Sequence, residues 1–172
     1  MSLLTSHARM LHPTVLAKVG AETVRVLFDS GSGNSCSCTD TITKLHLKPT
    51  RKEQRYIEQM LGTTRKNVEV EITINSLMVE GFSLEVQCIN AEKEVLTYLP
   101  NPNVLHLKNQ YARFRRLPFT EEKTRVQSMP VHIILATSDY QRVRTTEPLI
   151  LGSNPDKDPL RCRVHNARLD YF

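Results

Sequence analysis

The sequence predicts a mainly β fold, a closed barrel carrying one or two short helices. Three observations predict it. Short runs of β-branched and alternating apolar residues recur at 14–19, 23–28, 67–75, 82–88 and 131–135. Turn formers punctuate them, with Gly20, Gly31, Gly62 and Gly81 in the intervals. Helical spacing shows only in brief stretches. Several short strands at turn-punctuated spacing are the mark of a barrel or sandwich.

The chain has 172 residues, long enough for one well-formed core and short for two. No apolar run approaches the ~20 residues needed to cross a bilayer, which points to a soluble protein or a soluble piece of one. Residues 1–12 have no clear period and read as a flexible lead-in without a signal-peptide core. Four cysteines without a secretory signal point to reduced thiols and a cytoplasmic setting. The net charge of +5 is mild and dispersed, so composition does not indicate nucleic-acid binding.

Thr14 to Val19 reads as a first strand, and Gly20-Ala21-Glu22 turns it into a second, ending at Phe28. A short Gly-containing link between two β-rich runs is a hairpin signal. The second strand, Val24-Arg25-Val26-Leu27-Phe28, stops abruptly at Asp29-Ser30-Gly31-Ser32-Gly33. Such a strand carries one carboxylate out of the core to the mouth of a tight loop. Gly31 and Gly33 would let that loop take positive φ and admit a close approach of another chain. Asp, Ser and Gly are also ordinary turn formers, so the residues alone fit a plain turn as well.

Cys38, Ile42 and Leu45 recur at i, i+4 and i+7, which predicts a short helix over about 37–46. That spacing makes Cys38 a core residue, and Cys36-x-Cys38 with His46 lacks zinc-module spacing. Residues 53–60 and 67–75 read as two strands joined through 61–66. In the second, Val68, Val70, Ile72 and Ile74 alternate with Glu69, Glu71 and Thr73, giving one buried and one wet face. Another alternating strand places Phe82, Leu84, Val86 and Cys88 against Ser83, Glu85 and Gln87.

From 95 to 130 the period fades and prolines gather at 100, 102, 118 and 130. This reads as a long surface connection with a helical turn near 104–112. Arg113-Phe114-Arg115-Arg116 within it reads as a solvated basic face. Val131 to Leu135 is a second buried strand, followed by a helix over 138–143 with Asp139 near its N-terminus. Residues 145–151 would supply one more strand. Beyond Gly152 the chain reads as loop, and Cys162-x-x-His165 is too isolated to be a metal site.

Four stretches together resemble the retropepsin-like domain of Pao/BEL-type retrotransposon polyproteins. They are Leu27-Phe28-Asp29-Ser30-Gly31-Ser32 with the helix-like segment after it, Phe82 to Val86, Tyr98-Leu99-Pro100, and Val131 to Leu135 followed by Ser138-Asp139-Tyr140. Asp29-Ser30-Gly31-Ser32 fits the Asp-Ser/Thr-Gly-Ala/Ser signature of aspartic peptidases. The resemblance divides the chain into a lead-in at 1–12, a retropepsin-like domain at 13–152 with an insertion at about 95–130, and a divergent tail at 153–172.

The resemblance implies a retropepsin-like closed barrel and an aspartic endopeptidase acting on an extended peptide of a polyprotein, in the cytoplasm or within retroelement particles. Asp29 would be the catalytic acid. Ser30 would bond across a two-fold axis, the Gly31 backbone would lie beside the substrate, and Ser32 would bond the outer oxygen of Asp29. The hairpin joined through 61–66 would be the flap, with Gly62, Thr63 and Thr64 at its substrate-binding tip. One Asp-Ser-Gly per chain implies a homodimer, because the chemistry needs two carboxyl groups. Neither metal nor organic cofactor is required.

The pattern also departs from the family. The glycine of its apolar-apolar-Gly element is replaced by Ala136, whose methyl would strain a site that needed positive φ. The flap has one glycine, and the C-terminus diverges. An inactive, domesticated binding or dimerisation module is therefore the alternative reading, to be separated from a peptidase by cleavage near acidic pH that pepstatin blocks.

Overall fold

The computed structural model describes residues 12–51, 55–59, 62–66, 69–76, 80–101, 104–110, 112–115, 119 and 126–143. Eleven strands occur among them: β1 (Thr14–Val19), β2 (Glu22–Phe28), β3 (Cys36–Ser37), β4 (Pro49–Arg51), β5 (Arg55–Gln59), β6 (Gly62–Lys66), β7 (Glu69–Ser76), β8 (Ser83–Asn90), β9 (Thr97–Pro100), β10 (Ser128–Val131) and β11 (Ile133–Leu135). Three short helices accompany them, α1 (Thr39–Lys44), α2 (Val104–Gln110) and α3 (Thr137–Val143), with a 3-10 turn at Ala112–Phe114.

Six strands close on themselves. β1 pairs with β2, β2 runs parallel to β11, and β11 is antiparallel to β3. β3 runs parallel to β8, β8 is antiparallel to β7, and β7 returns to β1 through Ala17–Ser76 and Lys18–Asn75. Closure gives each member of the ring a neighbour on both sides, so none of the six is an edge strand. The mainly β, closed-barrel expectation holds.

The residues explain the ring. In β7, Val70, Ile72 and Ile74 are fully buried while Glu71 and Thr73 are exposed. β8 repeats the pattern with Leu84, Val86 and Cys88 inside. Val15, Ala17 and Val19 of β1, Val24, Val26 and Phe28 of β2, and Ile133 and Leu135 of β11 complete one apolar cluster, to which α3 adds Val143. A period-2 pattern on strands that meet inside a barrel leaves no other place for these side chains. β1 and β2 are joined by the two residues Gly20-Ala21, with Val19 opposite Glu22 and Gly20 at φ 59°. Positive φ at the first of two turn residues is the hairpin chemistry that glycine permits.

Several boundaries differ from expectation. The helix predicted over 37–46 is shorter, and Leu45 and His46 already lie beyond it, His46 at φ 49°. The strand expected over 53–60 is β5, at Arg55–Gln59, and a strand not expected, β4, precedes it at Pro49–Arg51 and extends the barrel sheet alongside β7. The predicted connection at 61–66 contains a strand, β6, paired with β5 from Arg55–Lys66 to Gln59–Gly62. Its polar sequence lacks alternation, so the pairing is invisible in the local pattern.

The 95–130 segment is not a plain surface connection. β9 and β10 form a two-stranded arm at its ends, Leu99 opposite Met129 and Thr97 opposite Val131. The buried side chains Leu99, Met129 and Val131 cover Leu27 and Ile134 on the outside of the barrel wall. Within the segment α2 buries Val104 and Leu107, and Phe114 is also buried.

The strand predicted over 131–135 breaks at His132, which separates arm from barrel. Its N–H donates to the Arg25 carbonyl at 3.0 Å, and its ring Nδ1 accepts the Arg25 N–H at 3.1 Å. The His132 carbonyl accepts from Cys38 N–H at 2.9 Å. A side chain thus completes a backbone ladder where the strand changes sheets. The strand expected at 145–151 and the tail at 153–172 lie outside the described residues.

Candidate active site

β2 delivers Asp29 to the rim of the barrel. Phe28, the last residue of that strand, is buried and stacks on Tyr140 of α3 with ring centroids 5.0 Å apart. Asp29 N–H then donates to the Leu135 carbonyl at the end of β11, 3.0 Å away. The backbone is therefore fixed on the core side while the carboxylate, partly exposed, is left at the mouth.

The loop folds around that carboxylate. Gly31 N–H donates to Asp29 Oδ1 at 2.8 Å, and Ser32 N–H donates to the Asp29 carbonyl at 3.2 Å. Aspartate accepting from the amide two residues on is a local turn that the short side chain makes by itself. Neither Gly31 nor Gly33 lies at positive φ, against the expectation from sequence; among the described glycines that conformation belongs to Gly20 and Gly81. What Gly31 supplies is room. A Cβ there would stand 3.3 Å from Asp29 Oδ1, whereas one at Gly33 would meet nothing within 4 Å.

The segment Leu135-Ala136-Thr137 backs the loop. Thr137 N–H donates to the Ser32 carbonyl at 3.2 Å, and Thr137 Oγ1 donates to the Ser30 carbonyl at 2.6 Å. Ala136 N–H donates to Ser35 Oγ at 2.9 Å, and Ser35 Oγ donates to Asp139 Oδ2 at 2.6 Å. Ala136 is buried and is not at positive φ, so the strain expected of its methyl group does not arise.

Ser30 and Gly31 are exposed beside Asp29. The Ser30 carbonyl is engaged by Thr137, and its hydroxyl makes no hydrogen bond among the described residues. Ser32 departs from the role expected of it: its hydroxyl donates to the Asn34 carbonyl at 2.7 Å, away from Asp29. Gly62, Thr63 and Thr64 lie in β6, opposite Gln59, Glu58 and Ile57. Residues 60 and 61 lie outside the described residues.

Cys36 stands near Asp29 at the start of β3. Burial pushes its thiol up to about 11; a backbone hydrogen bond with Ile134 opposes this, and the Asp29 charge adds to it. It is a neutral thiol at ordinary pH, the wrong state for a nucleophile. Burial likewise raises Cys88. Asp29 is thus the partly exposed, backbone-held acid of this loop. Sequence reasoning did not single out Ser35, Thr137 or His132; their only local signal was a polar residue beside a strand end.

No family model matches the chain, and no curated protein matches it. A solved structure does: the solution structure of Simian Foamy Virus (mac) protease is 14% identical, with 79% of this chain and 99% of that chain covered, at a TM-score of 0.38.

Proposed function

We propose that this chain is an aspartic endopeptidase of the retropepsin kind, of Pao/BEL retrotransposon type, that works as a homodimer on extended peptide segments. The observation that carries the reading is the Asp29 loop. A carboxylate at the end of a buried strand accepts the Gly31 amide at 2.8 Å, and its own amide is tied to Leu135 across a parallel strand pair. The sequence signature Asp29-Ser30-Gly31-Ser32 occupies that loop.

Hydrolysis by paired acids needs one carboxylate to accept a proton from water while a second, protonated, polarises the scissile carbonyl. One chain supplies one Asp-Ser-Gly, so two copies of Asp29 would meet at a two-fold axis. Exposed Ser30 has a hydroxyl to offer across that axis. The substrate would lie extended and be held by main-chain bonds, in the manner of an added strand. The Ala136 argument for an inactive module loses its force, since the methyl group is accommodated at ordinary φ.

The test is cleavage of a peptide library across acidic to neutral pH, with and without pepstatin, by the wild type and by Asp29→Asn. Asn keeps shape and hydrogen-bonding capacity but cannot take the proton from water. The variant is expected to lose cleavage while keeping its melting temperature. Specific activity of the wild type should fall on dilution as dimer dissociates. Full activity in Asp29→Asn, or activity independent of concentration in a monomeric protein, overturns the reading.

A further inference from the structure

We infer that Ser35 and Asp139 act in series as positioning residues for Asp29; the inference rests on the aspartic peptidase reading and adds to it residues outside the Asp-Ser-Gly signature. Three consecutive residues, Leu135 to Thr137, bond Asp29, Ser30, Ser32 and Ser35, so wherever that segment sits, the loop sits. Within it the Ala136 amide has a side-chain acceptor, Ser35 Oγ, which is 3% exposed.

A hydroxyl has one hydrogen and can point it anywhere its torsion allows. Here the hydrogen is directed by Asp139 Oδ2, 2.6 Å away. A carboxylate can only accept, so it fixes the hydroxyl and turns a lone pair toward Ala136 N–H. The 2.6 Å separation is that of a charge-assisted bond, stronger than a neutral one. Asp139 is itself held. Its other oxygen takes Arg142 Nη1 at 3.1 Å, and the same nitrogen donates to the Glu85 carbonyl on β8 at 2.9 Å. The chain of bonds runs from the barrel wall through α3 to the loop, and both oxygens of Asp139 are used.

Neither Ser35 nor Asp139 needs to touch substrate for this. A catalytic group must be held to a fraction of an ångström, and displacement of about 1 Å can cost about 10²-fold in rate. Asparagine at 139 offers one acceptor oxygen where the carboxylate offers two. Whichever way its amide lies, either Ser35 or Arg142 faces an NH₂ group.

The experiment compares wild type, Ser35→Ala, Asp139→Asn and the double variant, by kcat and KM on one peptide and by backbone amide exchange. Ser35→Ala is expected to lower kcat by about 10²-fold and Asp139→Asn by about 10-fold, with KM within about 3-fold of wild type. The double variant should be no worse than Ser35→Ala, because Asp139 acts through Ser35. Exchange at the Ala136 amide should accelerate by about 10-fold or more, while Ile72 and Val86 in the barrel stay protected. Multiplying defects in the double variant, an unchanged kcat in Ser35→Ala, or unchanged Ala136 protection overturns the inference. A wild type that cleaves nothing sinks the peptidase reading instead, and the exchange data then judge the Ser35–Ala136 coupling by themselves.

Discussion

Replacing Gly31 by Ala separates two reasons for a glycine in the Asp29 loop. Were the residue at positive φ, a methyl group would strain the backbone and cost stability. Gly31 is not at positive φ, so the alanine backbone is unstrained. Removing glycine from an unstrained position restricts the unfolded chain and returns about 0.4–1 kcal/mol. Against this stands a Cβ at 3.3 Å from Asp29 Oδ1, closer than ordinary van der Waals contact. The carboxylate must withdraw by a few tenths of an ångström, weakening its 2.8 Å bond from Gly31 N–H. Such a bond in a wet loop contributes about 0.5–1.5 kcal/mol. The two effects nearly cancel, and the melting temperature should move by no more than about 3 °C.

Activity should behave differently, because the atom displaced is the one proposed to react. A shift of a few tenths of an ångström in that carboxylate is expected to lower kcat by about 10-fold or more. Gly33→Ala is the control, since a Cβ there meets nothing within 4 Å. The assay is a fluorogenic peptide for kcat and KM, with thermal unfolding on the same samples. Wild-type kcat in Gly31→Ala, or an equal loss in Gly33→Ala, refutes the argument.

His132 predicts a pH dependence of stability. Burial lowers its pKa below the usual 6.5; Asp40 opposes this, while Arg25 and Lys44 reinforce it. The unfolded chain therefore binds the proton more readily, and the stability contributed by neutral His132 is complete above 6.5 and lost as pH falls below it. Urea midpoints of wild type should drop between about pH 7 and 5 relative to His132→Asn, which keeps an acceptor for Arg25 N–H without titrating in that range; parallel curves would count against the assignment. Cys36→Ser should retain cleavage, because the thiol held at about 11 is not a nucleophile at working pH; abolition of activity would indicate cysteine chemistry. Ala136→Gly should lower the melting temperature, since Ala136 is buried and not at positive φ: glycine removes a packed methyl group and adds freedom to the unfolded chain, the latter costing about 0.4–1 kcal/mol; a large gain in kcat would show that the methyl group does hold the loop out of line.

The strands that were legible from sequence are those whose partner is written into their own pattern. Ile72 and Ile74 alternate with Glu71 and Thr73 because one face of β7 is inside the barrel, and the period survives whatever lies opposite. The β9–β10 arm has no such signature. Its strands are four residues each, Pro100 and Pro130 sit in them, and Leu99 finds Met129 thirty positions away. The apolar residues they cover, Leu27 and Ile134, are read locally as more of a buried strand, so nothing in the sequence says that a second layer exists outside the barrel.

The Asp29 loop shows the same division within a single site. Its acid and glycine are adjacent in sequence, and their chemistry could be named from four letters. Ser35 and Asp139 are 104 positions apart and look individually like a turn residue and a helix-start residue. Only the parallel pairing of β2 with β11, which brings Phe28 level with Leu135, puts them within hydrogen-bonding distance. The glycine expectation failed for a related reason. Sequence supplies residue type, and a glycine in a turn reads as torsional freedom; in this loop its missing methyl makes space for a carboxylate, while position 136, where a glycine was expected, holds alanine because its backbone asks for nothing unusual. Positive φ and close approach leave the same letter behind, and only the coordinates of the neighbouring oxygen tell them apart.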